Sequence, residues 1–275
     1  MQRNLKPLAG IALALFCIAG HAQHYASWRH LQETVSTGQV ELPAFRGSFE
    51  GCMGQFAHGR PPVVPNLANK KGRALCFDGF AVLHSGATKT PIYAAEVLNR
   101  RRLMQGRGNK RSDMFFPDAR LPAGERATLD DYRGSGFDRG HNFPAGDSAD
   151  AQGMAQSFSL ANMMPQAPQN NQGAWARIEQ DTRRYAMRAS GDVFVITGSV
   201  LLPGECVIQR PNCQIGRGLT VPSHIYKLVY DPQTHRAWAH WIANKDDARI
   251  QRPITYAELV RRTGIEFLPG MTPND

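Results

Sequence analysis

The sequence lacks any apolar run long enough to cross a bilayer, any internal repeat and any low-complexity tract. A spanning helix needs roughly twenty apolar residues in succession, whereas the apolar stretch from Leu8 to Ala19 holds twelve. Cysteine is scarce, five in 275 residues, and never falls as Cys-x-x-Cys; His-Glu-x-x-His is absent as well. With them go the usual signatures of a thiolate metal site and of a zinc hydrolase. Acids are outnumbered, 23 Asp and Glu against 32 Lys and Arg, for a net charge of +9. A basic balance favours polyanions or anionic membrane surfaces as partners without choosing between them. No composition shift marks an internal linker, so one domain of generous size is expected.

The first 22 residues read as a secretory signal peptide. Arg3 and Lys6 give a basic start, the apolar run follows, and Gly20-His21-Ala22 offers small residues for cleavage. An uncleaved anchor is the competing reading, and the run is too short for it. A secreted or periplasmic protein is predicted, with no membrane attachment after signal removal. Loss of Arg3 and Lys6, with no acid among these residues, leaves +7. Cys17 goes with the leader. Cys52, Cys76, Cys206 and Cys213 then allow three pairings. Cys52–Cys76 and Cys206–Cys213 are favoured, because each pair brackets a loop-like stretch containing Pro or Gly; oxidised thiols agree with export.

Residues 23–46 form a lead-in segment, with an amphipathic helix over 24–40 carried by Trp28, Leu31 and Val35, and 47–275 the main domain. Residues 43–73, rich in Gly, Pro and Asn, read as loop. A hairpin is predicted from strands 75–84 and 91–98, and a second from 225–230 and 237–243 across Asp231-Pro232-Gln233. A helix capped by Asp147 is expected to reach Gln156, a short strand to cover 158–161, a helix to run from Gln172 to about Ala189, and a buried strand to span 193–197. Thr255 and Glu258 have capping-box spacing and open a last helix closed by Gly264. Residues 100–111 carry six Arg or Lys and no acid, which suits either a solvated loop or a phosphate-binding rim. Strands and helices interleave without regular βαβ alternation. The expected class is α+β, with a mostly antiparallel central sheet and flanking helices.

The chemistry concentrates in two stretches. Asp138-Arg139-Gly140-His141 packs an acid, a guanidinium and an imidazole into four residues, and Asn170-Asn171-Gln172-Gly173-Ala174-Trp175 leads to Glu179. Phosphodiester hydrolysis needs a base for water, cationic stabilisation of the charged transition state and help for the leaving oxygen. His141 is the candidate base, since a neutral imidazole can take a proton near pH 7. A histidine without such company is usually just surface or core. Asn171 is the candidate metal ligand: its carbonyl oxygen suits a hard cation such as Mg²⁺, which keeps most of its waters. A helix N-cap is the bland role for the same residue. On a helix Asn171, Trp175 and Glu179 share a face, Trp175 packing inward and Glu179 reaching a metal-bound water.

Asp138-Arg139-Gly140-His141, Asn162-x-x-Pro165-Gln166 and Asn171-Gln172-Gly173-x-Trp175-x-x-x-Glu179, in this order and spacing, resemble the DNA/RNA non-specific endonucleases of the ββα-metal (His-Me finger) superfamily. The resemblance runs from Leu75 to Pro269 and includes Thr90-Pro91, Asp131-Tyr132 and Thr263-Gly264-Ile265. It implies a ββα-metal core and a metal-dependent endonuclease releasing 5′-phosphate products from both DNA and RNA. His141 would be the general base, Asn171 the direct Mg²⁺ ligand (Mn²⁺ able to substitute) and Glu179 a ligand through water. Arg139 would contact the phosphate or the hydrated metal, and Asn162 would be a polar substrate-side support. Arg111 best matches the family's upstream arginine, with Arg107 its nearest rival. Asp138 would orient the loop. An inhibitor protein is a conceivable partner of such an enzyme. The stretch 204–218, with its cysteine pair, is a local elaboration that removes no catalytic residue. The alternative is a non-catalytic nucleic-acid-binding protein of the same fold acting in DNA uptake.

Overall fold

In the computed structural model the described residues are 47–274; the predicted signal peptide and the lead-in helix over 24–40 lie outside them. Among the described residues no helix is long and apolar enough to cross a membrane.

The residues read as one first strand form two. β1 (Gly72–Phe77) and β2 (Phe80–Ser85) are joined by a tight turn in which Gly79 has φ +87°, a conformation that an L side chain resists. Asp78-Gly79 is a strong hairpin-turn pair, and it outweighs the apolar continuity of 75–84. β3 (Thr90–Leu98) pairs with β2 and leads into α1 (Arg100–Gln105), capped by Asn99, whose Oδ1 accepts from the Arg102 amide at 2.8 Å. After α2 (Leu129–Tyr132) come β4 (Asp138–His141), α3 (Ala151–Ser157) and β5 (Met163–Gln166). The cap of α3 is Asp150 rather than Asp147, and 158–161 is a turn and a 3₁₀ turn in which only Ser159 makes a β-bridge, to Phe116, rather than a strand.

A π-helical turn, Asn170–Trp175, then opens α4 (Ala176–Ala186). β6 (Val193–Val200), the two-residue strands β7 (Gln214–Ile215) and β8 (Leu219–Thr220), and the long hairpin of β9 (His224–Asp231) with β10 (Arg236–Ala243) follow. β11 (Ile254–Thr255) precedes α5 (Tyr256–Thr263), where Thr255 accepts from the Glu258 amide at 3.1 Å. The Glu258 carboxylate turns to Arg261 and Arg262, so the Thr255 hydroxyl provides the cap.

The main sheet has the order β1-β2-β3-β6-β9-β10-β11, and every pairing in it is antiparallel. Strand alternation divides its side chains between two faces. Leu83, Tyr93, Ile196, Tyr226 and Leu228 meet Leu259 of α5 and Phe267 on one face. Phe80, Val82 and Ala94 meet Phe143, and Val195 and Val229 meet Ala186 of α4, on the other. The second face also carries Glu96, Thr197 and Lys227, all at most 2% exposed. That face supports β4, β5 and the π turn leading into α4, which together form the ββα unit of an α+β fold. The disulfides are Cys52–Cys76 and Cys206–Cys213.

Candidate active site

β4 and β5 pair antiparallel, with Asp138 opposite Gln166, Arg139 opposite Pro165, Gly140 opposite Met164 and His141 opposite Met163. Gly140 is required by proximity. A Cβ there would come within 2.7 Å of the Cβ of Gln166, itself fully buried and bonded through Nε2 to Asn170 at 3.0 Å. This close fit locks the strand that carries Asp138, Arg139 and His141.

The His141 ring stands edge-on to Phe158, centroids 5.0 Å apart, and 6.0 Å from Phe115. Its Nε2 is buried without a hydrogen-bond partner. Burial first, and then the positive charge of Arg111, lower its pKa from 6.5 to about 3. The imidazole is therefore neutral at physiological pH, the form able to accept a proton. A phosphate beside Arg111 would offset that charge and raise the ring's basicity.

Phe115 and Phe158 pack edge to face at 4.9 Å and also hold the two arginines. The Arg139 guanidinium lies 4.2 Å over the Phe115 ring, and that of Arg111 4.9 Å over Phe158. Arg111 is further tied to Asp113 at 2.6 Å. The aromatic pair thus brings Arg111, Arg139 and His141 together, and the sequence reading missed it. Phe115-Phe116, apolar and adjacent to a basic stretch, was the available signal. Arg107 lies elsewhere, in a cleft with Arg183 and Arg188.

Asn171 does not cap the helix. Its Nδ2 donates to Asp138 Oδ2 at 2.9 Å, and Gln172 Nε2 donates to the same oxygen at 2.9 Å. An ionised carboxylate only accepts, so this bond fixes which end of the Asn171 amide faces Asp138. Among the described residues none donates to Asn171 Oδ1. One oriented amide oxygen backed by a carboxylate fits a hard, largely hydrated dication. Among the described residues no group of three or more His, Cys, Asp or Glu is placed to hold a metal.

Glu179, on α4, is half-buried, and its carboxyl is pushed up to about 7. Burial is the main cause, Lys227 and Arg183 oppose it, and Asp147 adds to it. Beneath lies a buried charge cluster. Lys227 Nζ donates to Thr197 Oγ1 at 2.6 Å, Arg183 Nη1 to Asp147 Oδ1 at 2.8 Å, and Glu96 keeps Oε2 unpartnered. Burial raises Glu96 well above the usual carboxylate range. Each of Glu96 and Lys227 interrupts an apolar strand, a visible mark that the sequence reading passed over.

Asn162 is fully buried rather than turned to substrate. Its Oδ1 accepts from the Phe143 amide at 2.8 Å, and its Nδ2 donates to the carbonyls of Phe143 and Ser157 at 2.9 Å. Both polar atoms of the side chain are spent on backbone, of the loop after His141 and of the end of α3. The expected substrate contact is corrected to a positioning role. Asn244 acts likewise, accepting from the Ala167 amide and donating to the Pro165 and Pro222 carbonyls.

An imidazole, a guanidinium and an oriented amide stand on one ββα unit, with the Arg111 guanidinium brought beside them from the loop after α1. Residues 63–274 match the DNA/RNA non-specific endonuclease family, to which the chain belongs. It is 35% identical to the mitochondrial Nuclease 1 of Schizosaccharomyces pombe, over 63% of this chain and 54% of that protein. Human mitochondrial Nuclease EXOG is 34% identical over 57% and 43%. Bovine mitochondrial Endonuclease G is 34% identical over 80% and 77%. The chain thus spans only about half the length of the first two. A crystal structure titled as the EndoG/EndoGI complex, on the mechanism of EndoG inhibition, covers 72% of this chain and 86% of that one at 24% identity and TM-score 0.63, a likeness of fold.

These relatives run against the predicted secreted or periplasmic location, since all three are named mitochondrial. Mitochondrial leaders are also basic and poor in acids, so the charge of residues 1–22 does not separate the two kinds.

Proposed function

We propose that the protein is a metal-dependent endonuclease that hydrolyses DNA and RNA at phosphodiester bonds, leaving 5′-phosphate products. The observation that carries this reading is the neutral, unpartnered His141 imidazole held on the same aromatic pair as Arg111 and Arg139. His141 takes the proton of the attacking water. Arg111 and Arg139 bind the phosphate oxygens and offset the charge that builds on them. Asn171, oriented by Asp138, would hold Mg²⁺ or Mn²⁺ through Oδ1, and Glu179 would approach the ion through water. When bound, the ion supplies Lewis-acid stabilisation at the phosphate and the leaving oxygen. These contacts address phosphate, which carries neither base sequence nor sugar identity.

The test is digestion of plasmid DNA and single-stranded RNA with Mg²⁺ or with EDTA, by the protein and by Asn171→Ala. Degradation of both polymers, lost with EDTA and reduced by the substitution, is the expected result. Binding without cleavage under every divalent metal would refute it in favour of a nucleic-acid-binding role.

A further inference from the structure

Beyond the site, α4 runs into a cleft of about 470 Å³ lined by Arg107, Gln180, Arg183, Arg184, Met187 and Arg188. No carboxylate lines it. Arg184 is paired with Asp181, and Arg183 with Asp147. Arg107 and Arg188 have no ion-pair partner among the described residues, and both are exposed. Guanidiniums from α4, from the turn after it and from the loop after α1 converge on this one concavity. Like charges gathered in this way repel unless an anion lies between them, and a planar guanidinium suits phosphate.

The cleft is connected to the catalytic residues. Arg183 stands one turn after Glu179 on α4, lines the cleft, and bonds Asp147 in the loop that follows His141. Arg188 lies nine positions beyond Glu179, roughly 13 Å along the helix at about 1.5 Å per residue.

We propose that this arginine cleft is a second phosphate-binding subsite, taking the flank of a nucleic-acid strand beyond the bond that is cut. The inference rests on the nuclease reading for its choice of polyanion. It goes further by assigning Arg107 and Arg188 to substrate length rather than to chemistry. A strand long enough to reach the cleft is held at two places, and a shorter one at the site alone.

The test is equilibrium binding of labelled oligothymidylates of increasing length to the metal-free full chain, where no cleavage intrudes, with a salt titration for the longest. In the unaltered protein affinity rises once the oligomer is long enough to reach the cleft from the site. In the double variant Arg107→Ala/Arg188→Ala that gain disappears, the longest oligomer binds about tenfold more weakly, and the salt slope falls by roughly 1.4 for two lost single-strand contacts. Both side chains are exposed, and an unchanged melting temperature accompanies this result. A variant that matches the unaltered protein at every length overturns the proposal. So does a loss already as large for the shortest oligomer, or an unaltered protein that binds no oligomer. Length-dependent binding lost in the variant, from a protein that never cleaves, would retain the subsite and refute the nuclease reading.

Discussion

Asp138 accepts a hydrogen bond from Asn171 at 2.9 Å, joining the strand that carries His141 to the π turn that opens α4. The two residues are 33 positions apart in sequence. A carboxylate thereby sets the orientation of the amide whose oxygen is the proposed metal ligand, and removing a partner of that kind commonly lowers metal affinity about 10- to 100-fold. Asp138→Ala should raise the Mg²⁺ concentration for half-maximal cleavage by about that factor while largely retaining the rate at saturating metal. A metal titration checks this; an unchanged midpoint would show that Asn171 is held by other means.

The Phe115 ring beneath Arg139 predicts a smaller effect. Leucine keeps the apolar volume and removes the π face, and an exposed cation–π contact is worth about 0.5–1 kcal/mol. Phe115→Leu should lower kcat/KM by about two- to fivefold with little change in the thermal midpoint. Steady-state kinetics on a fixed oligonucleotide measures it, and an unchanged kcat/KM would remove the aromatic support from the account.

Glu179 makes stability and activity diverge. Its carboxyl moves from 4.5 to about 7 on folding, so the folded state binds more protons between those values. That stabilisation is complete below pH 4.5 and is lost as the pH rises through 7. Above pH 7 the buried charge costs the fold, by about 2 kcal/mol after allowance for partial exposure. Glu179→Gln should therefore be more stable than the unaltered metal-free protein at pH 8.5, with the difference shrinking towards pH 5, while cleavage falls. Urea unfolding at the two pH values decides the point. Equal stability at both would contradict the raised carboxyl.

Motifs built from neighbours in the chain were legible. Asp138 to His141 fall on one strand, both disulfides join the cysteines that bracket loop-like stretches, and β9 and β10 form the hairpin expected across Asp231-Pro232-Gln233. Features that depend on distant packing were harder to read. Nothing local marks the 170–175 segment as π-helical; its backbone is fixed by Asn170 bonding the Ala243 carbonyl and by Asn244 holding the amide of Ala167, just before the segment. Asp147 has the composition of a helix cap, but Arg183 from α4 claims its carboxylate and Asp150 takes the cap. Asn162 looked like a site residue because it lies in a motif; its 0% exposure turns that motif into a clamp on the His141 loop. Buried Lys227 and Glu96 could have been suspected, since a polar group in the middle of an apolar strand demands compensation.

Neutral His141 is the proposed base. The most direct measurement compares initial cleavage rates of the unaltered protein and His141→Ala, at saturating Mg²⁺ and nucleic acid, with binding measured in parallel. A positioned general base contributes about 10²- to 10⁴-fold. The account predicts a fall of that size with affinity retained. A rate within a few-fold of the unaltered protein would contradict it and place the proton acceptor elsewhere.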